Sequence, residues 1–176
     1  MHKSILILIA FSSFLFAGCA TTPTDDIKIQ SEVDPKVNFA SFETYTWITT
    51  AEILNDPEGR WKQPGFDVDA EIRSLINREL GKRGLSESKS NPDMVVTYVT
   101  GINMAALKAK TNPDSNEKIF KNVPQGALVI VLANPVTDYI MWMGTAMAEV
   151  QQNPDIEVVK NRLDHAVTKV LEQMPK

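Results

Sequence analysis

The chain reads as an α+β domain: a four-stranded mixed, mostly antiparallel sheet with two helices packed on one face, in the order β-α-β-β-β-α. Three stretches point to it. Residues 67–83 repeat apolar side chains at helical spacing, and residues 156–171 do so again. Between them, Gly126 to Ala133 is an unbroken apolar run that a short turn joins to a second apolar segment, the pattern of a hairpin. A strand, a helix and a strand in succession predict a right-handed crossover between parallel neighbours.

The first strand is expected over Phe39–Ile48, where aromatics and threonines suit a pleated, half-buried surface. Tyr45 and Trp47 share one of its faces, and Trp47 is either a core plug or a stacking surface for a ligand. Asn55-Asp56-Pro57-Glu58-Gly59 and Gln63-Pro64-Gly65 are turn signals around Trp61. Trp61 either pins its loop to the body or lines a site.

In the helix over 67–83, Val68, Ile72, Leu75, Ile76 and Leu80 fall on one face. Asp67 is placed to cap the first turn, because a carboxylate accepts the free backbone N–H groups there. Asp69 and Glu71 suit the positive end of the helix dipole. Gly84 supplies the left-handed residue that stops the helix, with Leu85 beyond it set to touch Leu80. Asp69–Arg73 and Glu79–Arg83 are spaced as ion pairs on the wet side. Asp67, Asp69 and Glu71 resemble a metal cluster on paper. Helix neighbours two apart diverge, so capping is the better reading and no metal site is assigned.

Asn91-Pro92-Asp93 punctuates before a second strand over Met94–Thr100. Residues 104–110 read as a short helix or as an extension of that strand, and 112–116 as loop. Lys108, Lys110, Lys118 and Lys121 make this section locally basic, offset by Asp114 and Glu117: a solvated face, or a contact for an anion or headgroup. Gly126–Ala133 is expected to be a central strand buried on both sides. Asn134 to Asp138 is the turn, and Tyr139–Val150 the fourth strand. Trp142, Gly144, Ala146 and Ala148 share one face of it, Met141, Met143 and Met147 the other. The methionine stripe is either adaptable packing or a greasy patch for a partner. Asn153 as cap and Pro154 at the first position are expected to open the last helix, whose stripe runs from Ile156 to Leu171.

At the start of the chain, Met1-His2-Lys3 precedes an apolar run from Ile5 to Ala17. The run is shorter than the ~20 residues a membrane-spanning helix needs, so residues 1–18 read as a secretory signal peptide. Leu15-Phe16-Ala17-Gly18-Cys19 resembles the bacterial lipobox. That resemblance implies cleavage before Cys19 and lipid, palmitate included, on the new terminus. With Ala20 rather than Asp next in line, it implies delivery to the outer membrane, facing the periplasm. An ordinary secretory signal with an incidental cysteine is the alternative. Residues 19–33 then form the lipidated cysteine and a flexible tether, and 34–176 a single domain. The part after residue 18 carries 17 basic and 22 acidic residues, which is not the balance of a nucleic-acid binder. Cys19 is the only cysteine, so no disulfide framework is expected.

Asn38-Phe39, Phe42-Glu43-Thr44-Tyr45-Thr46-Trp47, Asn91-Pro92-Asp93, Gly126-Ala127-Leu128-Val129-Ile130-Val131 and Ile140-Met141-Trp142-Met143-Gly144, in that order, resemble the bacterial lipoproteins of the domain-of-unknown-function family DUF4136. The likeness runs from about Asp34 to Pro175. Asn134 stands where an Asp is common in the family, and Met143 where a basic residue is common. The family implies no established activity, so no functional residue is carried over from it.

Catalytic sets are missing. His165 is the one histidine after residue 18, and it lies about 200° round the last helix from Leu163, toward solvent. No His or Cys pair suggests zinc, no glycine-rich loop precedes a helix, and no cofactor is assigned. Asp93, Asp138 and Glu149 are the carboxylates a hydrolase would draw on, with turn-forming or solvated roles competing for each. The leading expectation is a non-catalytic lipoprotein, held to the membrane by Cys19, that binds a protein or another component of the envelope. The alternative is a small-molecule or lipid carrier built from Trp61, the 103–125 segment and the methionines Met141 and Met143.

Overall fold

The computed structural model describes residues 22–111, 113, 118–151 and 154–175. The signal peptide, Cys19, Ala20 and Asn153 lie outside the described residues. Within them run β1 (Lys28–Val33), a 3-10 turn (Phe39–Ser41), β2 (Thr44–Trp47), β3 (Ala51–Asn55), α1 (Val68–Lys82), β4 (Ser86–Glu87), β5 (Met94–Asn103), β6 (Leu107–Thr111), β7 (Lys118–Asn122), β8 (Gln125–Ala133), β9 (Ile140–Glu149) and α2 (Ile156–Glu172).

Two helices and a mixed sheet make the fold α+β, but the sheet has seven strands rather than four. Its order is β1-β9-β8-β5-β2-β4, with β3 also on β5, while β6 and β7 form a separate hairpin. β2 runs parallel to β5 across α1, and β8 pairs antiparallel with β5 and β9. The expected first strand is shorter, because Phe39–Ser41 coils. β2 and β3 lie end to end along β5, interrupted at 48–50, where Ile48 N–H donates to Val96 O (3.1 Å) and Thr97 Oγ1 to Thr49 O (2.7 Å). The expected tether is also shorter. Residues 28–33 pair antiparallel with β9, Lys28 opposite Met147 and Val33 opposite Trp142.

Both helices bury their stripes in one core, with Ile72, Ile76 and Leu80 of α1 and Val167, Val170 and Leu171 of α2 fully enclosed. They cover one face of the sheet only. On β8 the inward Leu128, Ile130 and Leu132 are therefore buried while Val129 and Val131 are half-buried, and the strand is not covered on both sides as expected. A bulge between Leu132 and Ala133 shifts the register of β9. It turns Met141 into the core beside Trp142, so Met141 is 4% exposed. The outward stripe keeps Met143 and Met147.

Termini follow local chemistry. Asp67 Oδ1 accepts from Ala70 N–H at 2.9 Å. Gly84 (φ +83°) closes α1, its N–H reaching Gly81 O (3.0 Å) while Leu85 N–H reaches Leu80 O (3.1 Å). α2 starts later than expected: its cap is Asp155, whose Oδ1 accepts from Glu157 N–H at 3.2 Å. Asn134 Oδ1 accepts from Val136 and Thr137 N–H, at 2.9 and 3.1 Å, contacts an Asp could equally make. The expected Glu79–Arg83 pair does not form. Glu79, 7% exposed, instead accepts from Arg78, Lys82 and Thr168. Burial pushes its carboxyl up, but these three donors outweigh it and hold it below the usual range. Arg83 reaches across to donate to Leu171 O and Pro175 O at the end of α2, where the dipole favours a cation.

Gly144 sets how near α2 can lie. A Cβ there would fall 2.5 Å from Val170 Cγ1 and 2.7 Å from Trp142 Cζ2. Gly144→Ala is expected to lower unfolding free energy by about 2–3 kcal/mol, read by urea denaturation. Gly81→Ala, with open space around an added Cβ, should raise it by about 0.5–1 kcal/mol in the same experiment.

Candidate functional site

Inward side chains on β8 and β9 shrink toward one end of the sheet. Ala146 and Ala148 follow Trp142 and Gly144 on β9, and Gly126 stands near the start of β8. Over these small residues lies an open cavity of about 1020 Å³. Ile72 of α1, Val159 and Leu163 of α2, and Tyr98 and Ile102 of β5 line it. The loop between β3 and α1 adds Trp61 and Phe66, and the base of the β6–β7 hairpin adds Met104.

That loop is held from within. Asp56 Oδ2 accepts from Trp61 N–H at 2.6 Å and Asp56 O from Gly59 N–H at 3.2 Å, with Gly59 in the left-handed region at φ +64°. The Trp61 N–H holds the Asp56 carboxyl below the usual carboxylate range. Arg60 ties the loop to the hairpin by donating to Met104 O (2.8 Å) and Asn122 Oδ1 (3.1 Å). Trp61 itself is half-buried, and its Nε1 is enclosed without a hydrogen-bond partner.

A second clamp closes the same end. Arg162 Nη1 and Nη2 donate to Asp26 Oδ1 and Oδ2 at 2.8 and 2.7 Å, and Nη1 also donates to Pro23 O. Asn161 Nδ2 donates to Thr22 Oγ1 at 3.3 Å. The chain is therefore fixed to α2 from Thr22 onward, well inside the expected tether. Glu149 joins this clamp to the hairpin: its N–H donates to Asp26 Oδ2 (2.9 Å), and its Oε1 accepts from Lys108 (2.6 Å) and Lys110 (3.4 Å). Lys108 holds the Glu149 carboxyl below its usual range.

Of the residues singled out from sequence, the structure gathers Trp61, Lys108 and Lys110 around the cavity end. Lys118 and Lys121 are exposed on the hairpin, which replaces the expected short helix or strand extension. Met141 is corrected: the bulge buries it, so it meets no ligand or partner at a surface. Met143 faces away from the cavity on the uncovered side of the sheet, so the methionines do not join Trp61. Trp47 packs half-buried against the edge of the core rather than inside it. Its Nε1 and Tyr45 Oη both donate to Asn77 Oδ1 (2.9 and 2.8 Å), Tyr98 meets it edge-on, and Arg73 lies 4.6 Å from its ring centroid.

Asp93 Oδ2 is occupied by Glu43 N–H, Thr44 N–H and Thr44 Oγ1. Asp138 sits in the β8–β9 turn at φ +55°, and Glu149 lies at the opposite end of β9. His165 is half-buried rather than turned to solvent. It lines a shallower depression of about 470 Å³ between the helices, beside Arg78, Lys82 and Asp164. Among the described residues, no group of three or more His, Cys, Asp or Glu is placed to hold a metal ion, and no helix is long and apolar enough to cross a membrane.

A family model described as a domain of unknown function, DUF4136, matches residues 29–176. Two solved structures share the fold. A DUF4136 family protein from Bacteroides thetaiotaomicron is 10% identical, with 86% of this chain and 97% of that one covered at a TM-score of 0.54. A PDZ domain protein from Parabacteroides distasonis is 14% identical, with 84% of this chain covered at a TM-score of 0.56. The match takes in only 35% of that longer protein. No curated protein matches the chain by sequence.

The Arg162 bond holds the Asp26 carboxyl below its usual range. Its contribution is present above the unfolded pKa and lost as pH falls through the lowered folded value. Arg162→Ala should cost about 1–2 kcal/mol at pH 7. The gap to wild type should narrow in urea melts taken at a pH below the folded pKa of Asp26.

Proposed function

The chain belongs to the DUF4136 family, and from this we propose that it is a lipid-anchored, non-catalytic binding protein of the cell envelope whose cavity takes a small apolar or amphipathic molecule. The observation that carries the reading is the cavity between sheet and helices. Its volume is at the upper end of ordinary ligand sites, and its walls are mostly apolar with a few polar groups at hand, the usual composition of such sites.

The structural duties of the three candidate carboxylates support a non-catalytic role. Asp93 clamps β2, Asp138 makes a turn, and Glu149 is taken up by lysines; Asp138 and Glu149 stand at opposite ends of a ten-residue strand, roughly 30 Å apart. Anchoring rests on Cys19 and the signal before it, and the outer membrane facing the periplasm on Ala20. A protein partner bound through the uncovered sheet face, where Met143 and Met147 lie beside Val129 and Val131, is the second reading.

Cells fed labelled palmitate should label the wild-type protein and not Cys19→Ser. An unlabelled wild-type chain in the soluble fraction overturns the anchor. For the cavity, a dansyl-labelled fatty acid should bind the purified protein and brighten. Ala148→Phe, which fills the cavity floor, should weaken that binding at least about tenfold. No uptake by the wild-type chain, or equal uptake by the variant, rejects the cavity as the binding site.

A further inference from the structure

We propose that the β6–β7 hairpin docks on the anionic headgroups of the bilayer that anchors the chain, with Leu107 and Phe120 seated at the membrane interface and Lys118 on lipid phosphates. The hairpin stands outside the main sheet and pairs only with itself. Ala109 lies opposite Phe120 in its register, and Leu107 is two residues from Ala109, so these side chains share one face. That face is open: Phe120 is 77% exposed and Leu107 69%. Large apolar side chains held out in water on a projecting element mark an interaction surface.

The charge on the same element selects the partner. Strands β6 and β7 carry four lysines and no acid, and with Asp114 and Glu117 in the sequence between them residues 107–122 are net basic by two. Lys108 and Lys110 turn inward to Glu149, and Lys121, opposite Lys108, is on their face; Lys118, opposite Thr111, is exposed on the face of Phe120. An aromatic and an aliphatic side chain on one face with a lysine match the interface of an anionic leaflet, where the ring sits at headgroup depth and the ammonium group meets phosphate.

The way the chain leaves the domain puts the bilayer within reach. Thr22 is already tied to α2, and Cys19 is three residues upstream, so the lipid attaches at most about 11 Å from a fixed point of the fold. That point lies at the hairpin's end of the molecule, since Glu149 bonds Asp26 through its N–H and Lys108 through its carboxylate. Five-residue strands reach about 17 Å, enough to bridge from the clamp to the surface that holds Cys19.

The inference takes the lipid on Cys19 from the reading above and leaves the cavity aside. The full lipidated chain, purified from membranes, is reconstituted into phosphatidylglycerol-containing vesicles with bromines near the top of the acyl chains. Phe120→Trp is compared with Val136→Trp, which lies on the β8–β9 turn at the other end of the sheet, each against the wild-type background of Trp47, Trp61 and Trp142. Bromine quenching at position 120 should be at least roughly twofold that at 136, and Lys118→Glu should remove much of the difference. Flotation with the vesicles but equal quenching at 120 and 136 overturns the docking and leaves the anchor standing. Failure to float overturns both. A blue shift at 120 that grows with protein concentration, without bromine quenching, would seat a second copy there and equally overturn it.

Discussion

The architecture depends on a side chain that is missing. At position 144 the strand presents only backbone, and the Trp142 ring folds into that gap against Val170 of α2. This contact fixes the height of α2 above β9. Because α2 rests through Val170 on Trp142 and Gly144, its N-terminal half passes over Ala146 and Ala148, which are too small to fill the space beneath it. The same seating brings Arg162 to Asp26. Cavity and clamp are therefore two results of one packing arrangement rather than independent features.

Both helices were legible from their apolar stripes, and α1 also from its boundary chemistry, whereas α2 is capped by Asp155 rather than the expected Asn153. Asp67, Gly84 and Leu85 act locally, and the contacts they make in the fold are those their identities imply. The β8–β9 hairpin was equally plain, since a long apolar strand has few alternatives. What escaped the sequence were edges. β1 places Lys28, Gln30 and Glu32 on the open side of the sheet, and its pairing with β9 is made by backbone groups whose donors and acceptors are the same in every residue. A polar strand of that kind reads as a tether. β3 is short and exposed along its length, and β6 and β7 alternate lysine with alanine or a lone aromatic. In each case the partner strand, not the segment's own composition, decides the conformation.

The candidate site was legible only in part for a related reason. Trp61 stood out as an aromatic among turn residues. Arg162 and Asp26 are 136 residues apart, and neither is distinctive alone. Their bidentate geometry exists only once β1 and α2 are adjacent. The methionine stripe shows the opposite failure: alternation alone assigned Met141 to the outer face, and a bulge invisible to a period-two reading turned it inward. The cavity has no signature of its own, because it is made by Gly126, Ala146 and Ala148 being small where larger residues would have closed the core.

The pairing of β1 with β9 also governs the order in which the domain can assemble. The first strand of the fold is matched to the last, and Lys28 meets Met147 across well over a hundred residues of intervening chain. Closing so long a loop is entropically costly, and native contacts that distant slow folding. β1 has no partner until β9 is in place, so the final strand, not the first, seals that edge of the fold.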